Sequence, residues 1–502
     1  MRLERSDSMK RVISLLVSII LILFLFAGCE ANDEKVAKTG PLRICIDAGV
    51  HVNCFARNRG TADQAAAFLG RRLIMEFGMD EEDFEFDIIP AEGSARSAAL
   101  TRVRAEIMSG EGPDVFLCAC ADAAFSPKEG LQNRTDATLF PFPERAMKDG
   151  VFLPLDEYIE QAEYMEWDKM LPNVTAAGKT EQGQVVIPIS YRMRMTAYQE
   201  GDAEPYPADT SFADVLASDD DILRSTTAFT YRNDHRNDSA FPYLFTDLAD
   251  FETGELLFTE DDLYRMIQDV EALFYENLAG LPSGTSPKLK LPQTDLPPHF
   301  SEELDLGTYD GYYVVTDPEK EGFIYINYFV MLYMQDARRG LTNSTEQVML
   351  PLYNVDGGAT ALVASFGAVN ANTRQPEKAF AVLDYMLSQY AQHECVLYTF
   401  FCENALPVHM EMGKTHILTP SGRYLRNPYS IKWWLGFDSQ AFSAYAAVRE
   451  QIGYARFCTL LDQELGLLVT EYSEELNEQS EENLRKMISE SYAKMQRLLD
   501  ES

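Results

Sequence analysis

Apolar and polar positions along the chain alternate with a period that switches between that of a strand and that of a helix. Leu42 to Ile46 (LRICI) is a short apolar run of strand type, broken by Asp47-Ala48-Gly49. Thr61-Ala62-Asp63-Gln64 follows as a capping box, with a hydroxyl answered three residues later by an amide. Ala65, Phe68, Leu69, Leu73 and Phe77 then recur at helical spacing up to Gly78. Phe84 to Ile89 alternates apolar with acidic residues, which predicts a second strand. Leu100, Val103 and Ile107 mark a second helix that ends at Gly110. After Gly112-Pro113-Asp114 comes the apolar run Val115 to Ala119. The order strand, helix, strand, helix, strand predicts a parallel sheet with helices on its faces.

The rest of the chain is more mixed. Gly183 to Ser190 (GQVVIPIS) reads as a strand whose proline suits an edge or a crossing. From about Tyr198 to Gly340 helical stretches alternate with loops, and residues 281–310, dense in Pro, Ser and Thr, read as an insertion. Gln347 to Leu352 predicts a strand, Asp356-Gly357-Gly358 a turn, and Ala359 to Val369 a long apolar strand. Pro376 suits a first helical turn, followed by Ala379, Phe380, Leu383, Met386 and Leu387 on one face. A last helix carries Leu484, Met487, Ile488, Tyr492, Met495, Leu498 and Leu499, with Ser480 as its cap and Glu481 and Glu482 at the positive end of its dipole.

The first residues predict an address. Arg2, Arg5, Lys10 and Arg11 precede the uncharged run Val12 to Phe26, and Ala27, Gly28 and Cys29 follow. A run shorter than the ~20 residues of a spanning helix, with a basic start and small residues at its end, is a secretory signal. Residues 1–28 resemble the bacterial lipoprotein signal, in which the cysteine (here Cys29) is diacylated and becomes the mature N-terminus; Phe26 stands where that signal usually has leucine. The alternative is an uncleaved anchor with an incidental cysteine. Either way the bulk of the chain is expected outside the cytoplasmic membrane. Residues 29–40 then form the lipidated Cys and a polar tether. What remains is too long for one core, so two or more domains are expected.

Charge narrows the partners. A formal net charge of −36 opposes binding to phosphate backbones, so no nucleic-acid partner is expected. Asp219-Asp220-Asp221 lacks the spacing and glycine of a calcium loop and reads as solvated loop. Of eight cysteines, lipidation would take one, leaving an odd number that cannot all pair within the chain. Most of the rest are expected as buried small hydrophobes, although a bridge such as Cys395 to Cys402 stays open. The six histidines form no HExxH motif, and neither a GxSxG elbow nor a phosphate loop is present. No metal, no cofactor and no catalytic residue is expected.

Five motifs recur in a recognisable order. They are Gly110-Glu-Gly-Pro-Asp-Val115, Gly150-x-x-x-Pro-Leu-Asp-Glu-Tyr-Ile159, Gly183-x-x-x-x-x-Pro188, Leu350-Pro-Leu…Asp356-Gly-Gly358, and the helix opening Pro376-Glu377-Lys378-Ala379. With the lipoprotein cysteine before them, they resemble extracellular solute-binding proteins of family 1, the maltose-binding-like group that serves ABC importers. The resemblance implies an α/β, two-lobe periplasmic-binding-protein-like fold of type II, with a cleft between the lobes and a hinge of crossing strands. It implies an N-lobe from 41–193 and 341–405 and a C-lobe from 194–340 and 406–502. It also implies a monomer, lipid-anchored to the cell membrane and facing outside, that hands a small polar solute, an oligosaccharide, to ABC permease subunits.

The same resemblance ranks ligand contacts. Asp47 after the first strand and Asp122 after the strand that begins at Val115 match loops that reach ligand, where a carboxylate can accept from sugar hydroxyls. Tyr191 lies just past the crossing strand. Phe241 and Tyr243 resemble an aromatic stacking segment, Tyr328 follows a strand at another such position, and Trp433 and Trp434 fall in a region that often supplies a stacking ring. Core packing is the ordinary fate of each of these aromatics. Two other readings share these features: a solute-sensing surface receptor or co-receptor not coupled to transport, and a secreted glycan-active enzyme, since carboxylate pairs are plentiful.

Overall fold

A computed structural model describes residues 40–47, 62–90, 93–121, 137–199, 206–220, 223–224, 227, 240–279, 312–317, 320–326, 347–389, 391, 405–410, 416–418, 424–426, 447–474 and 481–501. The signal and tether, Thr61, the 281–310 insertion and Ser480 lie outside the described residues.

The first elements follow the hydrophobic pattern. β1 (Leu42–Asp47), α1 (Ala62–Phe77), β2 (Phe84–Ile88), α2 (Gly93–Met108) and β3 (Val115–Ala119) alternate as the sequence predicts. β1 pairs in parallel with β2 from Leu42↔Phe84 to Ile46↔Ile88, and with β3 from Ile44↔Val115 to Asp47↔Cys118. Right-handed crossovers through helices are what such pairs require. After α3 (Pro143–Lys148), β4 (Val186–Met193) joins the same sheet, and so do β9 (Ala359–Val369), β10 (Leu406–Pro407) and β11 (Ile452–Phe457). The order is β10-β4-β9-β3-β1-β2, with β11 pairing β9.

The sheet is mixed, not parallel throughout. β9 runs antiparallel to β3 on one side and to β4 on the other, and parallel to β11. All eleven of its residues are buried, which explains an unbroken apolar run instead of an alternating one. Gly367 marks the closest approach of a covering helix. A Cβ there would stand 2.7 Å from a methyl of Leu383, on α5 (Pro376–Met386). Pro188 falls opposite Phe366 where the β4–β9 register shifts, so its missing N–H coincides with an irregularity in the ladder.

A second, antiparallel sheet is built from β5 (Met195–Gln199), β6 (Tyr312–Asp317), β7 (Lys320–Ile326) and β8 (Gln347–Pro351), in the order β6-β7-β5-β8. Only Arg194 separates β4 in the large sheet from β5 in the small one. The chain returns through β8 to β9, turning at Gly357 and Gly358, whose φ values of 105° and 78° suit glycine. These two passages run side by side, since Leu352 N–H donates to the Arg194 carbonyl at 2.9 Å.

Of three further helices, α4 (Glu260–Ala279), α6 (Leu460–Glu474) and α7 (Glu481–Asp500), α7 packs against both of the others. In α7 the buried face carries Leu484, Ile488, Ser491, Met495, Leu498 and Leu499, while Met487 and Tyr492 are only partly covered. Residues Pro41–Ser502 make up one compact unit containing both sheets. Among the described residues no helix is long and apolar enough to cross a membrane.

Candidate functional site

Strand direction picks out a candidate site. β3 and β4 both run antiparallel to β9, so they share one direction, and β1 is parallel to β3. The carboxyl ends of β1, β3 and β4 therefore lie along one edge of the large sheet. At that edge β4 passes into the second sheet at Arg194. Carboxyl ends of parallel strands are where open α/β sheets hold ligands, because the chain leaves them in loops rather than in further ladder.

Asp47, at the end of β1, is fully buried. Its Oδ1 accepts from Arg96 Nη1 at 2.9 Å, and its Oδ2 accepts from Arg96 Nη2 at 3.2 Å and from the Leu139 amide at 2.6 Å. Arg96, also 0% exposed, donates further to the carbonyls of Pro90 (2.9 Å) and Ala137 (2.7 Å). Both carboxylate oxygens thus face protein donors. The sequence reading gives Asp47 to a sugar; the structure gives it to Arg96, and the pair ties β1 to α2 and to the segment before α3.

The aromatic candidates near the crossing are also enclosed. Tyr191, on β4 opposite Leu406, is fully buried. Phe241 and Tyr243 lie in a 3-10 turn, Phe241–Leu244, each 1% exposed. The Phe241 ring meets Phe245 at 5.6 Å, and the Arg194 guanidinium lies 5.3 Å from the Tyr243 ring centre. Tyr243 is thus brought to the crossing, as a packing partner of the strand that makes it. Asp122, Tyr328, Trp433, Trp434 and Cys29 lie outside the described residues.

Sequence reasoning passed over the buried charges. Arg192 and Arg194 are 5% and 1% exposed on and just after an apolar strand, and the alternation Tyr191-Arg-Met-Arg194 was their signal. Glu144, Arg456 and Asp462 form a second buried group, contributed by α3, β11 and α6. Burial pushes the Glu144 carboxyl up to about 7. Asp384 is also raised by burial, although the amides of Met165, Glu163 and Tyr164 pull it back. It fastens the 163–165 segment to α5. Cys45, Cys118, Cys120 and Cys458 are buried outside any disulfide, and burial raises the thiols of Cys45, Cys118 and Cys120 well above their ordinary value. They act as small apolar residues, not as nucleophiles.

A surface crevice of about 480 Å³ lies elsewhere, between α4 and α7, lined by Thr259, Glu260, Asp261, Tyr264, Arg485, Ile488 and Tyr492. Arg485 lies across it, 4.0 Å above the Tyr264 ring and 3.1 Å from Asp261. It shares no residue with the strand crossing. Among the described residues no group of His, Cys, Asp and Glu is arranged to hold a metal ion.

No family model matches the chain, and no curated protein matches it. Solved structures do. An extracellular solute-binding protein family 1 member from Alicyclobacillus acidocaldarius is similar over 93% of this chain and 100% of its own, at 13% identity and a TM-score of 0.47. A periplasmic oligogalacturonide binding protein from Yersinia enterocolitica is similar over 92% of this chain and 99% of its own, at 12% identity and a TM-score of 0.46. A de novo designed cysteine esterase is similar over 92% and 98%, at 12% identity and a TM-score of 0.47.

Proposed function

We propose that this chain is an extracytoplasmic solute-binding lipoprotein that captures a small polar solute, an oligosaccharide, and passes it to an ABC importer. The observation that carries the reading is the paired passage of β4–β5 and β8–β9 between two sheets, at the edge where the carboxyl ends of β1, β3 and β4 align. Two sheets joined by adjacent extended strands can bend toward each other about those strands and enclose a solute. The lobes would then be 41–193 with 341–405, and 194–340 with 406–502, the solute lying between them. Closure excludes water and strengthens each polar contact to the solute.

Asp122, Tyr328, Trp433 and Trp434 are the proposed contacts. A carboxylate accepts from sugar hydroxyls, and flat rings cover the apolar face of a sugar. Asp47 is left out, because Arg96 and Leu139 occupy its oxygens. Cys29, diacylated, would hold the chain to the outer face of the cell membrane, since two acyl chains anchor far better than one. Thermal shift of the full chain in detergent across sugars, peptides and other small solutes tests the assignment. A rise in Tm with an oligosaccharide, without turnover, is the expected result. A response confined to a peptide, or hydrolysis of a glycan, would overturn it.

A further inference from the structure

Glu144 lies in the first turn of α3 and turns its carboxylate toward the end of β11. Oε1 accepts the Phe457 amide at 3.2 Å. Oε2 is shut off from solvent and has no hydrogen-bond partner among the described residues. The neighbouring cation is already engaged: Arg456 Nη1 stands 2.7 Å from Asp462 Oδ1, and Nη2 donates to the Pro242 carbonyl at 3.0 Å. Asp462, in the first turn of α6, also accepts from the Thr459 amide at 2.7 Å and its hydroxyl at 3.0 Å. Two carboxylates thus share one guanidinium in a desolvated corner, and a full charge on both is poorly compensated there.

The remaining groups around it come from three strands. Cys120 at the end of β3 and Tyr454 on β11 feel the charge of Glu144 directly, while Cys458 and, through Cys120, Arg192 of β4 border the same corner. Burial is the largest cause of the upward shift of Glu144, and the Asp462 charge adds to it. Part of the residue still reaches the surface, so protons have access. Elsewhere α3 is held by Arg145, which donates to the Leu499 carbonyl at 2.8 Å.

We propose that Glu144 is a proton-operated latch, fastening α3 to the corner between β11 and α6 when neutral and loosening that corner when ionised. The corner reaches the strand crossing, because Arg456 grips the carbonyl of Pro242, next to Tyr243, whose ring lies beneath Arg194. The inference needs no solute, so it stands or falls apart from the solute assignment.

Hydrogen exchange of the full chain in detergent, read by mass spectrometry at about pH 6 and about pH 8 and corrected for intrinsic exchange, tests it. In the wild type, protection of residues 452–464 is expected to fall roughly tenfold between the two pH values, and in Glu144→Gln to stay level. Equal protection at both pH values in the wild type, or the same fall in the variant, would overturn the latch. Should Glu144→Gln not fold, Asp462→Asn serves instead. Removing that negative charge is expected to move the fall to lower pH, and an unmoved midpoint would overturn the proposal.

Discussion

The amide of Leu352 donates to the carbonyl of Arg194 at 2.9 Å, so the two passages between the sheets are hydrogen-bonded to each other at their midpoints. Neither strand can bend there without the other. Arg194 is 1% exposed at this point, and its guanidinium covers Tyr243. The crossing is therefore packed as core at Arg194.

Breaking the Asp47–Arg96 pair tests whether Asp47 is structural. Asp47→Ala leaves Arg96 buried without its carboxylate, which costs about 3–5 kcal/mol. Urea denaturation is expected to show a lowered midpoint of that size with an unchanged slope. A fully stable Asp47→Ala that has lost solute binding would return Asp47 to the ligand site.

Two glycines separate tolerable from intolerable crowding. A Cβ at Gly367 meets the flexible end of Leu383, so Gly367→Ala is expected to cost roughly 1–3 kcal/mol, read as a lowered Tm. A Cβ at Gly178 would overlap the backbone carbonyl of Val186, which has no rotamer to give way. Gly178→Ala is expected to prevent accumulation of folded protein. Equal Tm values for the two variants would contradict this ranking.

Glu144 also sets a pH dependence of stability. Its folded value lies above the ordinary 4.5, at about 7, so the folded state binds the proton more tightly. Its contribution is fully present below about 4.5 and is lost as pH rises through about 7. The difference amounts to on the order of 3 kcal/mol. Wild type minus Glu144→Gln, measured by denaturant titration across that window, should decline with rising pH. A flat difference would mean that Glu144 is ionised and solvated throughout.

Much of this architecture was legible in the sequence. The alternation from Leu42 to Ala119 specified three strands and two helices, because each buries one face against the next. The run Ala359 to Val369 was legible as a strand, but its direction was not. Periodicity gives burial, and only pairing partners decide whether β9 runs with β3 or against it. The site was harder. That Asp47 ends a strand was visible, but not that Arg96, forty-nine residues on, turns inward to meet it. Tyr191 was legible as a neighbour of the crossing strand and Tyr243 as part of an aromatic segment, but their near-complete burial depends on neighbours that no local pattern reveals.

The tryptophan pair offers a check on the aromatic contacts. Trp433→Ala combined with Trp434→Ala is expected to weaken solute binding by roughly tenfold or more, about what the loss of aromatic contacts implies, with Tm in the absence of solute little changed. Calorimetric titration against the solute that stabilises the wild type would measure it. Unchanged affinity would assign both rings to packing.

Small-angle scattering of the full chain in a contrast-matched detergent, with and without the stabilising solute, bears most directly on bending about Arg194 and Leu352. A smaller radius of gyration with solute bound is the expected outcome. Saturating binding that leaves the scattering curve unaltered would contradict a fold that closes on its ligand.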